Sequence, residues 1–212
     1  MRPESRKDNQ RGHPGGITET MPEPKLLAFA GSLREASYNR KAVAVLAAGA
    51  RAAGAQVTLI DLRDLPMPIY DGDVEATHGL PDAARKFKQL LIDHHGVLIS
   101  TPEYNSQYPA LLKNAIDWAS RREGDEKPMR AFTGKIAGIM SASPGALAGL
   151  RGQALLRAQL AYLGMVVVPD RVGIARAGEA FDEHGALKDV AQQSAVEQLG
   201  AATVRFVQRL GM

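Results

Sequence analysis

From residue 25 onward the chain alternates short apolar runs with longer stretches whose apolar residues recur every three or four positions. The runs Leu26–Ala30, Gln56–Ile60, Val97–Ser100, Lys135–Ser141 and Met165–Val168 read as five strands. Because their apolar residues are continuous rather than alternating, they suit a sheet covered on both faces. Asn39–Ala53, Pro81–His94, Ala110–Ser120, Leu150–Leu163 and Val190–Leu210 read as amphipathic helices, with Pro81 suited to a first helical turn. A Pro-punctuated loop follows the second strand and runs through Asp73. Strands alternating with helices predict a doubly wound parallel α/β sheet in a three-layer αβα sandwich, and right-handed crossovers leave few strand orders. There is no internal repeat and no second-domain linker, so residues 25–212 read as one domain.

Composition narrows the chemistry. The 212 residues, 45% of them hydrophobic, are enough for one sizeable core. The formal net charge is +3 with both signs interspersed, which excludes the clustered basic footprint of a nucleic-acid binder. No cysteine is present, so disulfides, thiolate nucleophiles, Cys-ligated zinc and Fe–S clusters are excluded, and redox chemistry needs a bound cofactor or a metal held by other ligands. No apolar run approaches the roughly 20 residues of a membrane span. The N-terminus lacks the apolar segment of a secretory signal, and a cytoplasmic protein is expected. Residues 1–24 are polar and broken by Pro3, Gly12, Pro14, Gly15, Gly16, Pro22 and Pro24; they predict a disordered arm, with Met21 a second candidate start.

Three loops at the carboxyl ends of strands carry candidate chemistry, the position at which open α/β sheets bind ligands. The first reads Gly31-Ser32-Leu33-Arg34-Glu35-Ala36-Ser37-Tyr38-Asn39. Gly31 permits a sharp exit from the strand, and Ser32, Ser37 and Asn39 place short polar side chains around a helix N-terminus whose dipole favours an anion. Arg34 adds a fork suited to phosphate oxygens. Ser and Asn here are also ordinary helix caps. After Gly31 the next glycine is Gly49, so the dinucleotide GxGxxG turn is absent, as is a GxxxxGK[ST] phosphate loop. Asp61, at the end of the second strand, is then a surface acid.

The second loop is Thr101-Pro102-Glu103-Tyr104-Asn105, followed by Pro109 and Leu112-Lys113-Asn114-Ala115-Ile116-Asp117-Trp118. Pro102 stiffens the backbone and Asn105 tolerates unusual dihedrals, so consecutive N–H groups can face the edge of a planar heterocycle. Tyr104 can pack on a ring face; Glu103 can accept from the ring or buttress the loop. Trp118 reads as core, Lys113 and Asp117 as a solvated pair, and Asn114 as a bond back to its own loop. The third loop, Ser141-Ala142-Ser143-Pro144-Gly145, is small enough for close backbone approach, and Ser141 and Ser143 can donate to ring carbonyls or a sugar-alcohol chain. It is equally an ordinary turn before a helix. Of the five histidines, His94 and His95 sit at a helix end, His13 in the arm, and His78 and His184 in loops; no metal site is expected.

At these residues the chain resembles the NAD(P)H-dependent FMN reductases of the flavodoxin-like superfamily, which include quinone, azo-dye and chromate reductases. The match lies in Gly31-Ser32-Leu33-Arg34 with Ser37 and Asn39, and in Pro102-Glu103-Tyr104-Asn105 with Pro109, Leu112-Lys113-Asn114 and Asp117-Trp118. The resemblance implies a sheet ordered 2-1-3-4-5 and FMN at its switch point. Ser32, Leu33, Arg34, Ser37, Tyr38 and Asn39 would surround the phosphate. Pro102, Glu103, Tyr104 and Asn105 would line the ring, with Ser141, Ser143 and Pro144 nearby. It further implies ping-pong hydride exchange from NADPH or NADH through FMN N5 to a small-molecule acceptor, with no side-chain acid or base required. Homodimers or homotetramers are implied as well, with the loop Pro66–Asp71 toward a neighbouring site. Ala110, and the Ala148-Gly149 pair, stand where the family commonly has Gly and Gly-Gly. A flavodoxin-like electron carrier without nicotinamide turnover is the alternative, and a flavin-free module on the same fold a more distant one.

Overall fold

In the computed structural model, which describes residues 23–211, the apolar runs form strands β1 (Lys25–Ala30), β2 (Gln56–Leu59), β3 (Gly96–Thr101), β4 (Ile136–Ala142), β5 (Val166–Val167) and β6 (Val172–Ile174). The helices are α1 (Tyr38–Ala52), α2 (Gly72–His78), α3 (Asp82–Asp93), α4 (Ala110–Ala119), α5 (Leu150–Tyr162), α6 (Ala177–Ala180) and α7 (Val190–Arg209). All pairings are parallel in the order β2-β1-β3-β4-β5, and one row across the sheet runs Thr58, Leu27, Val97, Ala137, Val167. The arm expected over residues 1–24 lies outside the described residues as far as Pro22. Glu23 and Pro24 are described: the Pro24 carbonyl accepts from Gln56 N (2.8 Å) and the Glu23 carboxylate from Gln56 Nε2 (2.7 Å).

Every residue of β3 and β4 is buried, as the continuous apolar runs require. The strand period of two splits them between two cores. Leu26, Ala28, Leu98 and Met140 face α1 and α7; Leu27, Phe29, Val97, Ile99 and Ile139 face α3, α4 and α5. The helices α1 and α7 meet at bare backbone: a Cβ on Gly49 would lie 2.3 Å from the Glu197 carbonyl oxygen, and one on Gly200 2.3 Å from that of Leu46. Gly138 likewise leaves room for Thr203, whose Oγ1 a Cβ would approach to 2.2 Å.

Two departures from the sequence reading have clear causes. The fifth strand does not end at Val168 but resumes as β6, which pairs with the same edge of β4. Between Val167 and Val172 the outer chain advances five residues while β4 advances three, from Ala137 to Met140. Pro169 has no N–H for the ladder. Arg157 bridges the break instead, donating to the carbonyls of Val168 (2.7 Å) and Asp170 (3.3 Å). In the loop after β2, Leu62–Asp64 form a 3₁₀ turn and residues 72–78 form a short helix capped by Asp71, neither of which was expected. Asn114 does not bond its own loop: its Oδ1 accepts from Tyr70 N (2.8 Å) and its Nδ2 donates to the Pro68 carbonyl (2.8 Å). Trp118 is core, fully buried, with Nε1 donating to the same carbonyl and Tyr70 edge-on at 5.0 Å. Asn114 and Trp118 thus strap the Pro-rich loop onto α4.

The histidine pair is structural. His94 Nδ1 lies 2.6 Å from the Leu90 carbonyl and its Nε2 2.8 Å from Thr58 Oγ1. His95 Nδ1 accepts from Lys25 N (2.9 Å), which requires that nitrogen to be unprotonated. Burial, with Lys135, Lys25 and His94 adding positive charge nearby, lowers the His95 pKa below its usual 6.5. A group with a depressed folded pKa binds its proton more readily when unfolded, so stability present above about pH 6.5 declines as pH falls through the folded pKa. Urea midpoints measured from about pH 7.5 to 5.5 should therefore fall, and His95→Gln should flatten that fall; an unchanged slope would remove His95 from the account.

Candidate functional site

The loops after β1, β3 and β4 converge on a shallow cleft of about 60 Å³ above the switch point between β1 and β3. The first contributes Ser32, Arg34, Ser37, Tyr38 and Asn39, the second Pro102, Glu103 and Tyr104, the third Ala142, Ser143 and Pro144. Leu33, Asn105 and Ser141, expected beside them, do not line it. Leu33 is half exposed and borders a separate apolar hollow with Met67 and Leu111. Ser141 is fully buried, with its hydroxyl accepting from Gln153 Nε2 (3.3 Å), because strand parity puts it on the α5 face. A larger cavity, about 680 Å³, lies along the β2 edge; it shares only Ser32 and Ser37 with the cleft, and Arg40 pairs with Asp61 (2.9 Å) within it.

The first loop leaves the sheet with Gly31 N donating to the Ser100 carbonyl (2.9 Å). Ser37 caps α1, its hydroxyl accepting from Arg40 N. Among the described residues Arg34 makes no ion pair and is exposed. Asn39 has a role the sequence reading did not assign. Its Oδ1 accepts from Ser100 Oγ (2.8 Å) and Ala142 N (2.9 Å), and its Nδ2 donates to the Ala142 carbonyl (2.9 Å). One buried amide thus ties α1, β3 and β4 together beneath the cleft, leaving a single N–H uncommitted. Ser100, at the one polar position on the α1 face of β3, is the residue sequence reasoning missed; its signal was a hydroxyl within an apolar run.

The second loop turns back on itself. Tyr104 and Gln107 exchange both backbone hydrogen bonds (2.9 and 3.0 Å), and between them Asn105 and Ser106 both have positive φ, 52° and 66°. Consecutive left-handed residues are what a type I′ turn demands, and Asn-Gly is its favoured pair. The Tyr104 N–H is spent on this turn and so does not face the cleft as a free donor. Ser106→Gly should raise the unfolding free energy by about 0.5–1 kcal/mol, read as a higher urea midpoint; a lower midpoint would argue against the turn.

Glu103 chooses between its two candidate roles: it buttresses the loop. Its Oε2 accepts from the backbone N–H groups of Arg151 (3.0 Å) and Gly152 (3.1 Å) at the start of α5, and its Oε1 from Arg151 Nε (2.8 Å). Burial alone would raise its pKa, but the Gly152 N–H and the Arg151 guanidinium outweigh it and hold the carboxyl below its usual range. The negative charge is therefore matched within the chain, and the side of the cleft formed by Arg34 and the α1 N-terminus keeps its positive character. In the third loop Ser143 N donates to the Ile174 carbonyl (3.0 Å), and Ser143 Oγ accepts from Gly145 N (3.2 Å). Ala148 adopts φ 55°, a left-handed conformation that glycine would hold without strain.

A doubly wound parallel sheet with strand-end loops meeting at its switch point defines a flavodoxin-like protein with a mononucleotide-type cleft. The comparisons with known proteins agree. Residues 24–179 match the model of the NADPH-dependent FMN reductases, and the chain belongs to that family. An NAD(P)H-dependent FMN reductase of Pseudomonas aeruginosa is 37% identical over 187 residues, covering 88% of this chain and 96% of that one. A quinone reductase of Pseudomonas putida is 37% identical over 161 residues, covering 75% and 82%. The flavoenzyme NAD(P)H:(acceptor) oxidoreductase FerB of Paracoccus denitrificans superimposes with a TM-score of 0.74 at 29% identity, covering 89% of this chain and all of that one. The protein is an oxidoreductase that works with FMN and a reduced nicotinamide.

Proposed function

We propose that the cleft holds FMN and that the enzyme passes reducing equivalents from NAD(P)H to a quinone. The observation that carries the reading is the convergence of three strand-end loops on one cleft whose only carboxylate among the described residues, Glu103, is matched by Arg151 and the start of α5. A phosphate fits the first loop, where Ser32, Ser37 and Arg34 stand at the α1 N-terminus. Pro102, Tyr104 and Pro144 supply apolar walls for a ring. The shallow 60 Å³ cleft suits the phosphate end, so the ring would lie toward solvent, where a nicotinamide or an acceptor can reach it. Bound FMN supplies hydride transfer at N5; the chain's own residues bind, orient and shield, and none is needed as an acid or base. Asn39 braces the phosphate loop and keeps one amide N–H that can donate to the phosphate.

The quinone reading is supported by the curated relatives named quinone reductase. We further infer that residues 25–212 are a single catalytic domain, that it works in the cytoplasm as a homo-oligomer, and that no nucleic acid or membrane takes part. No described helix is long and apolar enough to cross a membrane. The test is a purified sample supplemented with FMN and titrated anaerobically with NADPH or NADH. Bleaching near 450 nm should follow, with recovery on adding a benzoquinone, to be ranked against an azo dye and free flavin. Protein without flavin sinks the reading, and flavin that neither nicotinamide bleaches identifies an electron carrier. Arg34→Ala should weaken FMN binding about tenfold or more, the worth of one charge-assisted hydrogen bond; unchanged affinity would overturn the phosphate assignment.

A further inference from the structure

The cavity of about 680 Å³ along the β2 edge takes no part in holding the flavin, yet it borders the same loop. Ser32 and Ser37 line both spaces, so a phosphate seated between them borders the cavity as well as the cleft. The volume is that of a small-molecule site, roughly 300–1,000 Å³. Leu59 of the edge strand stands 45% exposed in its lining, and Val43 and Ala44 of α1 and Leu90 of α3 add further apolar wall. Asp61 lies among them. It reads from the sequence as a surface acid, but its side chain is only 18% exposed. Its Oδ2 is committed to Arg40 (2.9 Å) and to Arg63 Nε (2.9 Å), whereas Oδ1 accepts Arg63 N alone (3.0 Å). One lone pair of that oxygen is left for a hydroxyl. The hydrogen bond from Arg63 outweighs burial and holds the carboxyl below its usual range, so it accepts at neutral pH.

We propose that this cavity is a subsite for an adenylate, the adenosine phosphate half of a dinucleotide. In doubly wound sheets a dinucleotide lays its pyrophosphate across the N-terminus of the first helix, and an acid after the second strand takes the ribose hydroxyls. Asp61 follows β2, and Ser37, the cap of α1, borders both the cavity and the cleft. The purine then lies against Leu59, Val43 and Ala44. Lys41 and Lys86 also line the cavity and enter no ion pair among the described residues. Glu35 and Asp64 offset them, which suits one phosphate on a neutral nucleoside and disfavours a polyanion. A quinone, with neither ribose nor phosphate, would leave Asp61 and the cations unused. Two kinds of dinucleotide carry this half. FAD would place it there with its flavin in the cleft, whereas a reduced nicotinamide would bring it from outside. The seam at Ser32 and Ser37 favours FAD, because the flavin phosphate is assigned to it already.

The adenylate site rests on the flavin phosphate reading, and its test separates the two. Protein incubated with equal concentrations of FMN and FAD, then gel-filtered, should release FAD as well as FMN when its bound flavin is chromatographed. Ala44→Trp fills the cavity from an exposed position on α1. It should lower the ratio of retained FAD to FMN about tenfold or more, with retained FMN and the circular dichroism spectrum unchanged. A nicotinamide source gives a different result: wild-type protein retains FMN alone, and ADP raises the KM for NADPH in the wild type but not in Ala44→Trp. Wild-type protein that retains no FAD and whose KM for NADPH is indifferent to ADP overturns the proposal. So does a folded Ala44→Trp protein that treats FAD and ADP as the wild type does. Protein that retains neither flavin, yet binds ADP in a calorimeter and loses that binding in Ala44→Trp, would count against the flavin reading and leave the adenylate site standing.

Discussion

Asn39→Ala is expected to cost about 3 kcal/mol of unfolding free energy, enough to lower a urea midpoint by more than about 1 M at a typical slope. Three buried partners lose their bonds at once: the Ser100 hydroxyl, and the N–H and carbonyl of Ala142. Each unsatisfied buried group costs about 1–3 kcal/mol, and partial hydration of the vacated space keeps the total below their sum. Asn39→Asp separates stability from binding. It keeps an acceptor for Ser100 and Ala142 N but places a buried negative charge at the helix end proposed to face the phosphate. FMN binding should then weaken even where urea leaves the fold intact, read by the flavin remaining after gel filtration. A variant that binds FMN as the wild type does would show that the brace and the phosphate site are independent.

Gly200→Ala is a contest between two effects of opposite sign. Helix propensity alone favours alanine by about 1 kcal/mol. The new Cβ, however, would stand 2.3 Å from the Leu46 carbonyl oxygen and 2.8 Å from Ala50 N, backbone atoms of a helix pinned to the sheet. Separating α1 from α7 strips contacts along both helices, and overpacking of this kind costs about 1–3 kcal/mol and sometimes more. A net loss of about 2 kcal/mol is expected, and a midpoint above wild type would show that the two helices do not meet as described. Gly49→Ala should behave alike, since its Cβ would meet Glu197 backbone at the same distance. Because both sites belong to one contact, the double variant should cost less than the sum of the two.

The sheet was legible because buried parallel strands announce themselves as apolar runs; the order of the strands came from the resemblance. What the sequence hid is instructive residue by residue. The edge strand β6 went unseen because Pro169-Asp170-Arg171 interrupts the pattern, and only the structure shows Arg157 carrying the edge across that gap. Ser141 was placed at the cleft by its neighbourhood, although the alternation of Ile139 and Met140 between the two cores already assigned it to the α5 side. Asn beside a helix N-terminus has two uses, and the bracing one at Asn39 could be found only from the positions of Ser100 and Ala142, which leave one N–H over for a ligand. Glu103 was ambiguous for the same reason: its partner lies 48 residues downstream, a separation that no local pattern encodes.

The two central strands carry the second and third loops of the cleft, and every one of their residues is buried. Their amide protons should exchange with solvent only through global unfolding, on the slowest timescale the protein offers. The loops they bear carry exposed residues such as Tyr104 and Asn105 and can open far more often. Gain of the cofactor would then slow the loop amides locally and, because it stabilises only the folded state, slow all the strand amides together by one common factor set by its binding free energy. One set of amides would thus weigh the flavin while another locates it.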